Sequence, residues 1–149
     1  MSRLMSLALL VAVALALLAP SVASAMSPAQ RMVKRINEIR SNHGLPRVGL
    51  SKSLQHSAKR YSRKMMRSGY FGHSSRIQAS SKYRTLGEIL EAHYGPKPMV
   101  AFAARNWMNS SAHRGVILSR SFRVAGAGFA TGRYNGRKAT MWTMHFGRR

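Results

Sequence analysis

The stretch RVAGAGFATGRYNGRKATMWTMHF, residues 123–146, decides the fold. Arg123 to Thr131 and Lys138 to Phe146 are short apolar-rich runs, and the Gly132-Arg133-Tyr134-Asn135-Gly136 segment between them is turn chemistry. That pattern predicts two strands joined as a hairpin. Toward the N-terminus the spacing of apolar residues turns helical. Pro96 to Asn109 reads as a helix, almost wholly apolar from Met99 to Ala104 and therefore expected to be well buried. Gly87 to Tyr94 reads as a strand, and residues 70–85 as irregular with one helical turn.

Two further helices precede these. One runs from about Ser51, its N-cap, to Ser68, with Gly69 as its stop. Leu54, Ala58, Tyr61 and Met65 form its apolar stripe, and His56, Arg60, Arg63 and Arg67 its wet one. The other opens at Ser27-Pro28-Ala29-Gln30, where Ser27 and Gln30 make a capping box, and closes at His43-Gly44. Met32, Val33, Ile36 and Ile39 share one face of it. Helices first and a terminal hairpin predict an α+β domain.

The first residues read as an export signal. Arg3 supplies a positive start, Leu4 to Ala19 is apolar but for Ser6, and Ala23-Ser24-Ala25 is a small-x-small cleavage pattern. The expected division is a signal peptide over 1–25 and one domain over 26–149. The competing reading is an uncleaved membrane anchor, but the apolar run is shorter than the ~20 residues that span a bilayer, so cleavage after Ala25 is expected and the cleaved chain is expected not to be transmembrane. There is no cysteine, so disulfides, thiol catalysis and thiolate metal sites are excluded, and packing alone must stabilise the domain.

Charge narrows the partners. Twenty-five Lys and Arg face three acids, Glu38, Glu88 and Glu91, giving a net charge of +22 in 149 residues. A field of that sign attracts polyanions such as teichoic acids, lipopolysaccharide phosphates, anionic lipids or nucleic acid. Export removes intracellular nucleic acid from that set. The cations are spread along a chain that is 45% hydrophobic, which argues for a packed domain and against a disordered polycation. Charge kept for solubility is the plainer alternative.

Four stretches collect chemistry near the ends of predicted elements: Tyr70 to Ser74, Gly87 to Leu90, Trp107 to Arg114, and Trp142 to Gly147. Together with Asn37-Glu38-Ile39-Arg40, Gly69-Tyr70-Phe71-Gly72-His73 and Val124-Ala125-Gly126-Ala127-Gly128, they resemble the compact bacterial secreted branch of the CAP superfamily. That superfamily takes its name from cysteine-rich secretory proteins, antigen 5 and pathogenesis-related proteins. The resemblance implies a three-layer α-β-α sandwich with a small central antiparallel sheet. It also implies a cleft of two histidines and two acids, which in several relatives holds a divalent metal. Carried over, the histidines are His73 and His113 and the first acid is Glu88. Ser110 stands where the second acid belongs, Ile89 replaces an Asn, and Ser111-Ala112 replaces Pro-x.

Two neutral imidazoles and a carboxylate can hold zinc and leave a fourth position for water. The cationic surplus works against a divalent ion and is expected to depress the histidine pKa values. Without a metal, His73 and His113 can bond backbone and Glu88 and so lock the cleft. Glu88 is expected to neutralise a histidine or Arg114. Glu91 is expected on the opposite side of the strand, His93 and His145 at the surface or an edge, and Trp107 and Trp142 in the core. Ser110 and Ser111 lie near His113, but no aspartate or nucleophile elbow completes a protease triad.

The leading expectation is a secreted or periplasmic, monomeric, non-catalytic module that binds anionic cell-envelope polymers or lipids. A hydrolase of peptide or cell-wall bonds using His73, Glu88 and His113, with or without metal, and a cationic antibacterial protein are the alternatives.

Overall fold

The computed structural model describes residues 25–79 and 81–149; residues 1–24 of the proposed leader, with Ala23 and Ser24 of its cleavage pattern, lie outside them. The described elements are, in order, α1 (Pro28–Asn42), β1 (Gly49–Leu50), α2 (Lys52–Ser68), β2 (Thr85–Tyr94), α3 (Val100–Asn109), α4 (Ser111–Ile117), β3 (Val124–Tyr134) and β4 (Arg137–Arg148). The strand order is β1-β3-β4-β2. β2, β3 and β4 are antiparallel, whereas the two-residue β1 pairs in parallel with β3. The sheet is therefore mixed at one margin rather than wholly antiparallel.

Alternation along the strands creates two faces. Ile89, Trp142, Met144, Phe146, Ala125 and Ala127 face α1 and α3 and pack with Met32, Ile36 and Trp107 in the main core. Leu90 and Met141 face the other way, against Met65 of α2, with Tyr61 and Met66 at the margin. This gives the three layers that the resemblance implied. The capping box at Ser27 forms on both sides, with Ser27 Oγ accepting from the Gln30 N–H and Gln30 Oε1 accepting from the Ser27 N–H.

The repeated glycines of β3 have a packing cause. A Cβ at Gly126 would stand 2.1 Å from the Gln55 nitrogen, and one at Gly128 would stand 2.3 Å from the Lys59 nitrogen. Backbone of α2 thus lies directly on β3, closer than any side chain permits.

Several expectations change. The hairpin turn is Asn135-Gly136 alone, both with positive φ (50° and 74°), so both strands extend farther than predicted. Such a two-residue turn matches the twist of the flanking strands. The third helix starts at Val100 rather than Pro96. Its apolar run does not sink whole into the core: only Ala103, Ala104 and Trp107 are buried, and Met99 is exposed. Among the described residues of 70–84 there is no helix, only a turn at 81–82. Arg40 is fully buried, donating Nε–H to the Pro46 carbonyl and Nη1–H to the Ile117 and Ser119 carbonyls. It thereby ties the end of α1 to the end of α4.

Candidate functional site

Glu88 sits on β2, the free edge of the sheet, on the face toward α2, and its cross-strand register partner is His145 of β4. Its carboxylate, only 5% exposed, accepts four hydrogen bonds. His73 Nδ1–H and the Ser74 backbone N–H reach Oε1, each at 2.9 Å. The Ser74 hydroxyl and His145 Nε2–H reach Oε2, also each at 2.9 Å. Burial would raise the Glu88 pKa, but the bonds from His145, the Ser74 amide, His73 and the Ser74 hydroxyl outweigh it and bring it down to about 2. The turn after α2 thus folds back onto the sheet edge, with Glu88 as its anchor.

The two predicted imidazoles come from opposite layers. His73 follows α2; its side chain is 61% exposed and, with Nδ1 engaged by Glu88, it presents Nε2 to solvent. His113 is half-buried on α4, and no bond joins it to Glu88 among the described residues. Its pKa is lowered, first by burial and then by the charge of His73. The expected depression of a histidine pKa is present, but burial rather than the overall cationic surplus is its main cause.

His145 is the residue that sequence reasoning misplaced. It is 1% exposed, not a surface or edge residue, and bonds Glu88. A signal existed: Thr143 and His145 are the polar members of a strand whose alternate residues, Trp142, Met144 and Phe146, are core. Arg114 does not neutralise Glu88; its Nη1–H is donated to the Met108 carbonyl. Trp107 and Trp142 are core residues as expected, and Trp107 Nε1–H bonds the Leu90 carbonyl at 2.8 Å.

A second polar cluster occupies the other side of β2. Glu91 points toward α3, as the alternation predicts, and is buried there with His93, which also is not at the surface. His93 Nδ1 lies 2.9 Å from Glu91 Oε2, His93 Nε2 lies 2.9 Å from the Lys97 carbonyl, and Asn106 Nδ2 donates to Glu91 Oε1 at 3.3 Å. The sheet separates this pair from Glu88, whose side chain lies on the opposite face.

The donor set does not suit a metal. Glu88 has both oxygens committed, His73 has only Nε2 to offer, and Ser110 brings no charge. Among the described residues no cluster of three or more His, Cys, Asp or Glu is disposed to hold an ion.

Beside the cleft runs a groove of about 750 Å³ between α2 and residues 70–78, into which His73 and His145 also face. Arg60, Arg63, Lys64, Arg67 and Arg76 line it, and no carboxylate does. No helix among the described residues is long and apolar enough to cross a membrane.

Comparison with known proteins bears on the family and the fold. The family model described as the cysteine-rich secretory protein family, CAP, matches residues 33–146. The chain is 30% identical over 138 residues to the uncharacterized protein YkwD of Bacillus subtilis (strain 168). That match covers 86% of this chain and 49% of the relative, so the chain spans about half that relative's length. An extracellular protein containing a SCP domain from Bacillus anthracis superposes with a TM-score of 0.63 at 24% identity, over 82% of this chain and 40% of that one. An outer surface protein of Borrelia burgdorferi gives 0.64 at 17%, over 79% and 90%. These structural likenesses concern the fold alone. With the fold, the ordered motifs and the family match in agreement, this cysteine-free chain belongs to the cysteine-rich secretory protein family.

Proposed function

We propose that the chain is a secreted CAP domain that binds anionic polymers or lipids of the cell envelope through the basic groove beside the His73–Glu88 cleft. The observation that carries this reading is the groove itself: five cationic side chains and no carboxylate line one concavity. Five like charges around a low-dielectric wall concentrate counter-ions and speed their capture. Export through the proposed signal peptide over 1–25, with the domain over 26–149, places that groove where such polymers are. The extracellular and outer-surface descriptions of two structural neighbours support the same location.

The chemistry of Glu88 favours binding over catalysis. A carboxylate held at a pKa of about 2 with four donors already on it does not take or give a proton near neutral pH. One observation favours the hydrolase alternative. Glu88 aligns His73 so that Nε2 faces solvent, the orientation of a general base.

The test is a pull-down on cell-wall and lipid fractions at low and at physiological salt, with wild type and the His73→Ala/His113→Ala double variant. Retention that falls steeply with salt and survives the double variant is expected. Salt-independent retention, or loss of all biological effect in the double variant, would favour the hydrolase.

A further inference from the structure

The basic groove does not end at Arg76. A second concavity of about 670 Å³ adjoins it and shares Arg60, Arg76, Ile77 and Gln78 with it, adding His56. The two are parts of one trough along the exposed side of α2. Its cations recur at helical spacing: His56, Arg60, Arg63 with Lys64, and Arg67. From His56 to Arg67 the helix rises about 16 Å, and neighbours three or four residues apart stand roughly 5–6 Å from each other at Cβ. Arg60 Nη2–H is donated to the Gln78 carbonyl at 2.9 Å, so one bond crosses the trough where its two halves meet.

The geometry points to a linear phosphodiester polymer, a chain of polyol or sugar units joined by phosphates, as the ligand of this trough. The inference rests on the proposed envelope-binding function and narrows it. Guanidinium forks pair with phosphate oxygens two at a time, and four of the five groove cations are arginine. They form a row rather than converging on one point, which suits successive phosphates better than a single ion. Tyr70, 57% exposed on the same groove, offers a ring face to the units between phosphates. Acyl chains have little to enter: of the lining aliphatic residues Met65 and Ile77, Met65 is 1% exposed. A row of cations with a tyrosine at its rim fits a polymer lying along the surface.

The experiment titrates the full chain with poly(glycerol phosphate) of short, medium and long length. Glycerol phosphate, polyglutamate and phosphatidylglycerol vesicles serve as comparisons. Affinity is expected to climb with chain length, and the free polymer is expected to bind more tightly than polyglutamate of equal charge. Removing Arg63, Arg67 and Arg76 together (R63Q/R67Q/R76Q) is expected to weaken the polymer at least about tenfold and to lower the salt slope by about one per lost contact. R47Q/K82Q/K138Q, which removes as many exposed cations elsewhere, is expected to change it far less. Equal losses in the two triple variants, or equal binding of polyglutamate, would overturn the trough while leaving envelope binding in place. Binding to vesicles without binding to free polymer would assign the site to lipid headgroups instead. No binding to any of these anions at low salt would end the envelope-binding function as well.

Discussion

His145 Nε2 lies 2.9 Å from Glu88 Oε2 across the β2–β4 ladder, where the two residues are register partners. This contact closes the inner side of the carboxylate, while His73 and Ser74 close the outer side. The acid at the centre of the cleft is consequently a fixed charge that shapes the loop after α2.

Stability should report this directly as pH falls. The folded-state pKa of Glu88, about 2, lies below the ordinary 4.5. Its contribution is therefore complete above about pH 4.5 and disappears as pH falls through 2, a difference on the order of 3 kcal/mol. Glu88→Gln is expected to be less stable than wild type at pH 7, with the gap closing toward pH 2. Denaturant midpoints at several pH values would show it, and a gap that stays constant would contradict the role assigned to Glu88.

The two histidines on Glu88 should differ in weight. Removing His145 leaves a buried carboxylate short of a donor, at an expected cost of about 2–4 kcal/mol for His145→Ala. His73 is largely exposed, so His73→Ala should cost about 1 kcal/mol or less. Urea unfolding of both variants decides the order; the reverse ranking would place the main anchor of Glu88 in the loop.

Proton titration gives a separate check on the cleft. By NMR, His113 should titrate below the ordinary 6.5 because burial and then the charge of His73 disfavour its protonation. His73→Ala should move it upward without restoring it, since burial remains. A His113 midpoint untouched by that substitution would mean the rings do not share a cleft.

Backbone proximity makes opposite predictions for two glycines. Gly128→Ala puts a Cβ against the backbone of α2 and should cost about 3 kcal/mol or more, because the helix must lift off the sheet. Gly115, within α4, has open space and no positive φ, so Gly115→Ala should stabilise by roughly 0.5–1 kcal/mol. Thermal melts of the pair would test both signs.

Arg40 offers the last test. Arg40→Met keeps the apolar volume but removes the donors to the Pro46, Ile117 and Ser119 carbonyls. A loss of about 3 kcal/mol is expected, with hydrogen exchange quickened first in residues 111–118. Uniform acceleration through the whole domain would mean that Arg40 supports the core rather than α4 in particular.

Much of this was legible along the chain. The capping box at Ser27, the stop at Gly69 and the stripe of Leu54, Ala58 and Met65 depend on neighbours a turn or two away, and the structure keeps them. The apolar alternation of β4 likewise reads directly as a strand. The failures were long-range. Arg40 lies on a helix whose other charged residues are wet, and nothing local says that the distant Ile117 and Ser119 carbonyls await it. His145 looked solitary because its partner lies 57 positions earlier. β1 is two residues long, and only its neighbour β3 makes it a strand.

The amino-acid order alone therefore determined the elements, the family resemblance and the candidacy of His73, Glu88 and His113, since periodicity, capping and motif spacing are properties of nearby residues. Tertiary structure decided which side chains meet. Antiparallel register set Glu88 opposite His145, the return of the 70–78 loop turned a wet helix face into a groove, and the layering put Glu91 and His93 out of reach behind the sheet. A folded sheet brings together residues that are remote in sequence, and which ones it brings together follows from register and packing that no local window contains.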